Sequence, residues 1–117
     1  MKYELLNGDI HVIDDAGVTL WRGRPLGQPV KAVSPLPRDE GAIVLLDYTA
    51  VRSQFENLLR LGPRGEVVWQ APLPQSTGDS FVDFTWRDGA LIAHTWSGHL
   101  VEIDVESGQP KRSEFTK

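Results

Sequence analysis

The stretch Asp14–Trp21, DDAGVTLW, joins a turn of aspartate and glycine to a short β-rich run that ends in tryptophan. Asp anchors tight turns and Gly tolerates positive φ, so the stretch predicts a turn that leads into a strand. The pattern returns at Gly62–Gly65, where Trp69 follows the second glycine at the same distance. A weaker third copy ends at Gly108 and has Arg112 in the place of the tryptophan. These copies indicate an internal repeat.

A second element repeats in the same frame and sets the period. The segment around Gly41, RDEGAIV, resembles the segment around Gly89, RDGALI. The interval between these two glycines equals the interval between Gly17 and Gly65. A period of about 40 to 50 residues with four strands per unit is typical of propeller blades.

Short apolar runs separated by glycines and prolines predict about eleven strands. They are Lys2–Leu6, Asp9–Ile13, Val18–Arg22, Val30–Val33, Ala42–Tyr48, Asn57–Leu61, Glu66–Gln70, Ser80–Trp86, Ala90–Trp96, His99–Asp104 and Pro110–Phe115. In groups of four they make about 2.75 blades. We therefore predict a single all-β domain over 1–117, with a three-strand partial blade at 1–28 and four-stranded antiparallel blades at 29–74 and 75–117. A β-sandwich or one long meander is the alternative fold.

The phrase Asp-x-x-Gly-x-x-x-Trp at Asp14–Trp21, echoed at Gly62–Trp69, resembles the repeats of quinoprotein-like β-propellers. The resemblance implies blade-like antiparallel sheets in a partial β-propeller, with Trp21 and Trp69 in the core. Closed propellers have four or more blades, so this chain alone is too short to form a ring. Unpaired sheet edges favour association, and we predict a homodimer, for example two chains in one ring.

The composition limits the kinds of partner and the cellular compartment that we expect. The net charge is -4 with no basic run, which argues against nucleic acid. No stretch approaches the roughly 20 apolar residues of a membrane helix, and polar residues interrupt the N-terminus where a signal peptide needs an apolar core. The chain has no cysteine, which excludes disulfides and thiolate metal sites. We predict a cytoplasmic protein without a cofactor.

The stretch from Phe81 to His99 combines aromatic residues with two histidines. A two-residue turn at Ser97-Gly98 would place His94, Trp96 and His99 on one face of a hairpin. The two imidazoles could then hold a metal or exchange protons, with Asp79 or Asp83 as a third ligand.

A structural interpretation competes with this site. In the repeat alignment His94 takes the core-like position of Leu46 in the preceding repeat, which predicts a half-buried histidine bonded to a backbone carbonyl. No familiar metal motif is present, and we assign neither catalytic nor metal-binding residues.

Two regions are candidate binding surfaces. Trp86 and Trp96 lie outside the repeated tryptophan position, and aromatic side chains are enriched at interfaces. The loop Thr49–Glu56, an insertion relative to the other repeat, contains Arg52 and Phe55, two residues of interface type.

We therefore predict a non-enzymatic protein-binding or ligand-binding module, for example an immunity-type inhibitor or an accessory subunit. Its candidate binding residues are Arg52, Phe55, Trp86, His94, Trp96 and His99. The alternative is a small metal-dependent hydrolase or lyase that uses His94 and His99.

Overall fold

The computed structural model of the protein describes residues 1–47, 56–74 and 78–115. Within these ranges the chain is all-β, with two single 3₁₀ turns at Pro25–Gly27 and Pro37–Asp39. The strands are β1 (Lys2–Leu6), β2 (Asp9–Ile13), β3 (Thr19–Gly23), β4 (Val30–Pro35), β5 (Ala42–Leu46), β6 (Leu58–Leu61), β7 (Val67–Gln70), β8 (Phe81–Arg87), β9 (Ala90–Thr95), β10 (His99–Ile103) and β11 (Pro110–Phe115). No helix in the described ranges is long and apolar enough to cross a membrane.

The strands form three antiparallel sheets in which each strand pairs with its neighbour in sequence. The first blade contains β1, β2 and β3, the second contains β4 to β7, and the third contains β8 to β11. The three sheets fall within the ranges 1–28, 29–74 and 75–117 and stack into a body of 46 × 32 × 18 Å. The predicted fold class, a partial β-propeller with antiparallel blades, is confirmed.

Strand β5 shows why the middle blade has the most apolar sequence. Every residue of β5 is buried. Neighbouring residues point to opposite faces, and Val44 packs with the first blade while Ile43 and Leu45 pack with the third. A strand that is covered on both faces has no polar side, so its sequence is a continuous apolar run rather than an alternation.

The outer faces of the first and third blades mix polar residues with apolar ones such as Ile92 on β9. In β2 the buried Ile10 and Val12 alternate with partly exposed residues such as Asp9 and His11. On the corresponding outer face of the third blade, Glu102 on β10 pairs with Arg112 at 3.9 Å. These mixed faces differ from those of β5, which are apolar on both sides.

The repeated tryptophan and glycine connect one blade to the next. The indole of Trp21, on β3, lies against Gly65 in the turn of the second blade, and Trp69, on β7, lies in the same way against Gly108 of the third. A Cβ at either glycine would overlap the indole ring, and both glycines have positive φ. The Trp69 Nε1–H also donates to the Val105 carbonyl at 2.7 Å. The sequence repeat is therefore an interlock between neighbouring blades.

Candidate functional site

The turn between β9 and β10 has three residues, Trp96 to Gly98, rather than the predicted two. His94 pairs with Leu100, and Gly98, at φ 99°, donates its N–H to the Thr95 carbonyl at 3.1 Å. A shift of one residue in register moves a side chain to the other face of a sheet. His94 and His99 therefore lie on opposite faces, and the predicted common face of His94, Trp96 and His99 is wrong.

His94 lies on the outer face of the third blade. Its Nδ1 is 2.7 Å from Asp83 Oδ1 on β8, and 39% of its side chain is exposed. The prediction of a half-buried histidine agrees with the structure, but the partner of His94 is the Asp83 carboxylate and not the predicted backbone carbonyl. The repeat alignment is one residue out at this point, because His94 pairs with Leu100 as Leu45 pairs with Leu58. The counterpart of His94 is therefore Leu45, which is buried because the third blade covers that face of the second. No blade of the described chain covers the same face of the third blade.

The geometry that a metal-dependent hydrolase would need is missing from the described ranges. Among those residues no group of three or more histidine, aspartate or glutamate side chains could hold a metal ion. Asp83 contacts His94, whereas Asp79 contacts a different group of residues around Ser97.

A hydrogen-bond network around Asp79, which is 2% exposed, holds the β9–β10 turn. The carboxylate accepts from the backbone N–H of Ser80 at 3.0 Å, from that of Ser97 at 3.1 Å and from the Ser97 hydroxyl at 2.7 Å. Ser97 Oγ also lies 2.9 Å from His99 Nδ1 and 3.0 Å from Thr95 Oγ1. The hydrogen bonds thus link the three side chains in the order Asp79, Ser97, His99.

This order decides what the network can do chemically. The Ser97 hydroxyl donates its single proton to Asp79, so in its contact with His99 Nδ1 it can only accept. In a nucleophilic triad the histidine stands between serine and aspartate and takes the serine proton. Here the histidine is a donor to the serine, so the network positions the turn rather than activating a nucleophile.

The network supports a cluster of large side chains at one end of the third blade. Trp96 is 63% exposed and Phe115 is 64% exposed. The His99 ring lies 5.1 Å from the Phe115 ring with a tilt of 51°. The Trp96 backbone N–H donates to the Ser80 carbonyl at 2.9 Å. We call Trp96, His99 and Phe115 the aromatic edge.

Substitution of Ser97 by alanine should loosen this edge. It removes one of the bonds to the buried Asp79 carboxylate, and we expect the free energy of unfolding to fall by about 1–3 kcal/mol. Urea unfolding measures the change. Ser113→Ala, at an exposed position of β11, is the matched control and should change stability by less than about 0.5 kcal/mol. Equal effects of the two substitutions would argue against the network.

Trp86 lies away from the aromatic edge, in a groove between the second and third blades. Its Nε1–H donates to Ser34 Oγ at 3.0 Å. The groove, of about 520 Å³, is lined by Glu40, Glu106 and Arg38 together with apolar and uncharged polar residues. Trp86 lies near the β8–β9 turn and Trp96 at the β9–β10 turn, at opposite ends of β9. The structure therefore separates these two predicted residues.

A buried cation lies beside the same groove. Arg60 on β6 donates from Nη1 to the Val105 carbonyl at 3.0 Å. It also pairs with Glu40 at 3.8 Å and with Glu106 at 3.6 Å. Its guanidinium thus joins the β5 side of the second blade to the turn after β10. These acidic side chains, which line the groove, are partly neutralised by the buried arginine.

Two of the predicted binding residues, Arg52 and Phe55, lie outside the described residues, as does most of the loop that contains them. Sequence reasoning missed Phe115 and the Asp79–Ser97 pair. Pairing β10 with the last strand would have found Phe115, since His99 is opposite it. The Asp79–Ser97 contact has no local signal in the sequence because it joins two separate turns.

Three stacked antiparallel sheets with a tryptophan interlock define a protein built from β-propeller-type blades. The chain belongs to the family described as "Domain of unknown function (DUF7957)", whose model matches residues 7–115.

The chain is also similar to named proteins. It is 31% identical over 104 residues to outer membrane protein assembly factor BamB of Nitrosomonas eutropha, a match that covers 86% of this chain and 23% of that protein. The crystal structure of BamB from Moraxella catarrhalis superposes with a TM-score of 0.60 at 18% identity, over 97% of this chain and 32% of that one. The computationally designed Ika8 protein superposes with a TM-score of 0.63 at 15% identity, over 95% and 32%.

These matches agree on the fold. The chain spans about a quarter of the length of the BamB of Nitrosomonas eutropha and about a third of each solved structure. The repeats are of the β-propeller type, as the sequence predicts.

Proposed function

We propose that this protein is a non-enzymatic protein-binding module that acts as an accessory subunit. The observation that carries the proposal is the aromatic edge, where Trp96 and Phe115 are each exposed over more than half of their surface. Large aromatic side chains dominate the energy of protein interfaces when they are held rigidly. The bonds from Asp79 to Ser97 hold the turn that carries Trp96.

The sequence suggested two roles, an accessory subunit and an immunity-type inhibitor, and the similarity to BamB supports the first. That relative is named as an outer membrane protein assembly factor, and such a name fits an accessory role. An immunity-type inhibitor gains no such support. The separation of His94 from His99 removes the geometry on which the hydrolase alternative rested.

The test compares the proteins that tagged variants of the chain retain from cell extract. We expect a specific partner to be retained by the native chain and lost, by about tenfold or more, in the double variant Trp96→Ala, Phe115→Ala. The matched control is Leu26→Ala, Val68→Ala, which removes two exposed apolar side chains elsewhere on the surface. Retention of the same proteins by all three chains, or of none by the native chain, would refute the proposal.

The cytoplasmic location and the homodimer stay predictions. Cell fractionation tests the first. Light scattering tests the second, because a homodimer has twice the chain mass of 13.0 kDa. Closing a ring through the outer faces would bury the ion pair of Glu102 with Arg112 and the Asp83 carboxylate that bonds to His94, and burying charges is costly. If the chain dimerises, we therefore expect it to do so through another surface.

A further inference from the structure

The turn of the first blade has the same glycine as the other two blades but no indole against it. A Cβ at Gly17, where φ is +84°, would meet nothing within 4 Å, whereas at Gly65 and Gly108 it would overlap a tryptophan. Beside Gly17 lies a cavity of about 500 Å³. We call this cavity, with its lining residues Met1, Lys2, Ile13, Asp14, Asp15 and Gly17, the outer cradle.

The outer cradle corresponds in position to the site that Trp21 occupies on the second blade. Lys2 on β1 pairs with Ile13 at the end of β2, just as Ala42 on β5 pairs with Leu61 at the end of β6. In both blades the turn that ends in the repeat glycine follows directly. The difference between the two sites is the neighbouring blade, which covers one and leaves the other open.

The turn that forms the cradle is preformed. Asp14 Oδ1 accepts from the backbone N–H groups of Ala16 and Val18, each at 2.9 Å. Asp104 Oδ1 holds the turn of the third blade in the same way, accepting from the Glu106 N–H at 2.8 Å. The third-blade turn, so held, receives the indole of Trp69. The first-blade turn thus has the same support as a turn that binds tryptophan.

The first blade also has a counterpart of the residue whose carbonyl bonds to the indole. On the third blade the Trp69 Nε1–H donates to the carbonyl of Val105, the residue after Asp104. The corresponding residue on the first blade is Asp15, which lines the cradle. The Met1 amino group donates to Asp15 Oδ1 at 2.5 Å, and this bond raises the pKa of the amino group and lowers the pKa of the Asp15 carboxyl. The side chain is therefore engaged by the amino group, while the backbone carbonyl is the equivalent of the acceptor in the third blade.

We propose that the outer cradle binds a tryptophan side chain presented by a β-strand of a different protein. The indole lies against Gly17 and donates its N–H to the Asp15 carbonyl. Trp69 makes the same two contacts in the third blade, with Gly108 and with the Val105 carbonyl. A second copy of this chain is poorly suited to supply this tryptophan. Its third blade has Arg112 at the position where the first two blades have tryptophan. That arginine pairs with Glu102 on the outer face.

The test uses a probe taken from the chain itself. A peptide with the sequence of residues 18–24, VTLWRGR, contains Trp21 in the strand that natively docks on the second blade. Titrated into the ¹⁵N-labelled full chain, it should cause saturable NMR shifts at the amides of the turn 13–17. The same peptide with alanine in place of tryptophan should cause none.

A matched pair of variants locates the binding. Gly17→Asn places a Cβ in the cradle, and asparagine is the residue that best tolerates positive φ after glycine. Gly27→Asn is the control, because Gly27 also has positive φ, at +71°, and open space around it. The shifts should disappear in the first variant and persist in the second. No shifts in the native chain, or shifts that survive Gly17→Asn, would overturn the proposal.

Light scattering on the same variants distinguishes a second copy as the occupant. If the native chain forms a dimer that Gly17→Asn converts to the 13.0 kDa monomer, the cradle binds this chain itself and the proposal of a different protein is wrong. We expect the mass of the native chain and of Gly17→Asn to be the same. Loss of partner retention in the aromatic-edge variants does not affect this result, since those residues are not part of the cradle.

Discussion

Gly65→Ala should lower the free energy of unfolding by about 2–5 kcal/mol, because alanine meets two separate obstacles there. The backbone has φ +87°, where a side chain is strained, and a Cβ would overlap the indole of Trp21. Gly17→Ala should cost only the strain, about 1–2 kcal/mol, because Gly17 has nearly the same φ and no neighbour within 4 Å of the added carbon. Urea unfolding measures both values.

A double-mutant cycle checks the cause of the difference. In a Trp21→Ala background the overlap is gone, and Gly65→Ala should then cost about as much as Gly17→Ala, about 1–2 kcal/mol. Trp21→Ala alone should also destabilise the chain, since it removes an indole packed against the core between the first and second blades. If Gly65→Ala costs the same with and without Trp21, the interlock contributes nothing to the stack.

Asn57→Ala should lower the free energy of unfolding by about 3–5 kcal/mol, an effect that is unusually large for a polar side chain. Asn57 is fully buried just before β6. Its Nδ2 donates to the carbonyls of Leu46 at 2.9 Å and Phe81 at 2.7 Å, and its Oδ1 accepts from the Phe81 N–H at 2.7 Å. Alanine would leave these buried backbone groups unsatisfied, so the second blade would lose its bonds to the first strand of the third.

The control for Asn57 is another amide that donates to a backbone carbonyl. Gln70 donates from Nε2 to the Glu56 carbonyl at 2.8 Å, but it is exposed, so water can replace the bond. Gln70→Ala should therefore cost less than about 1 kcal/mol. Similar costs at both positions, measured by urea unfolding, would show that Asn57 does not join the blades.

The strands were predictable where the turn between them is specified by its own residues. β1 and β2 match the predicted Lys2–Leu6 and Asp9–Ile13, because Asn7 and Gly8 both adopt positive φ, as a two-residue hairpin requires. The β9–β10 turn was not predictable in this way. Its third residue depends on the bonds that Ser97 makes to Asp79, which precedes β8 and lies far from it in sequence. The positions of His94 and His99 followed from that contact.

The candidate site was predictable in part. The binding role that the sequence suggests for Trp96 and His99 stays a prediction, and the structure places both residues at the β9–β10 end of the third blade. The sequence also suggested that Trp86 belongs with them, yet Trp86 lies at the other end of β9 and bonds to Ser34 of the second blade. Which residues share an edge depends on the end of the strand at which each lies, and a one-residue error in a turn is enough to change the grouping.

The sequence by itself determined the repeat, the strands and the middle position of the second blade, because turn residues and apolar runs act locally along the chain. Only the stacking of the sheets decided what each repeated position contacts. Gly17 and Gly65 stand in copies of the same turn, but Gly65 is covered by Trp21, whereas Gly17 lies beside an open cavity. Leu45 and His94 likewise occupy equivalent positions in their sheets, and Leu45 is buried while His94 bonds to Asp83 on an outer face. The contacts that separate these pairs join residues of different blades, which no local pattern specifies.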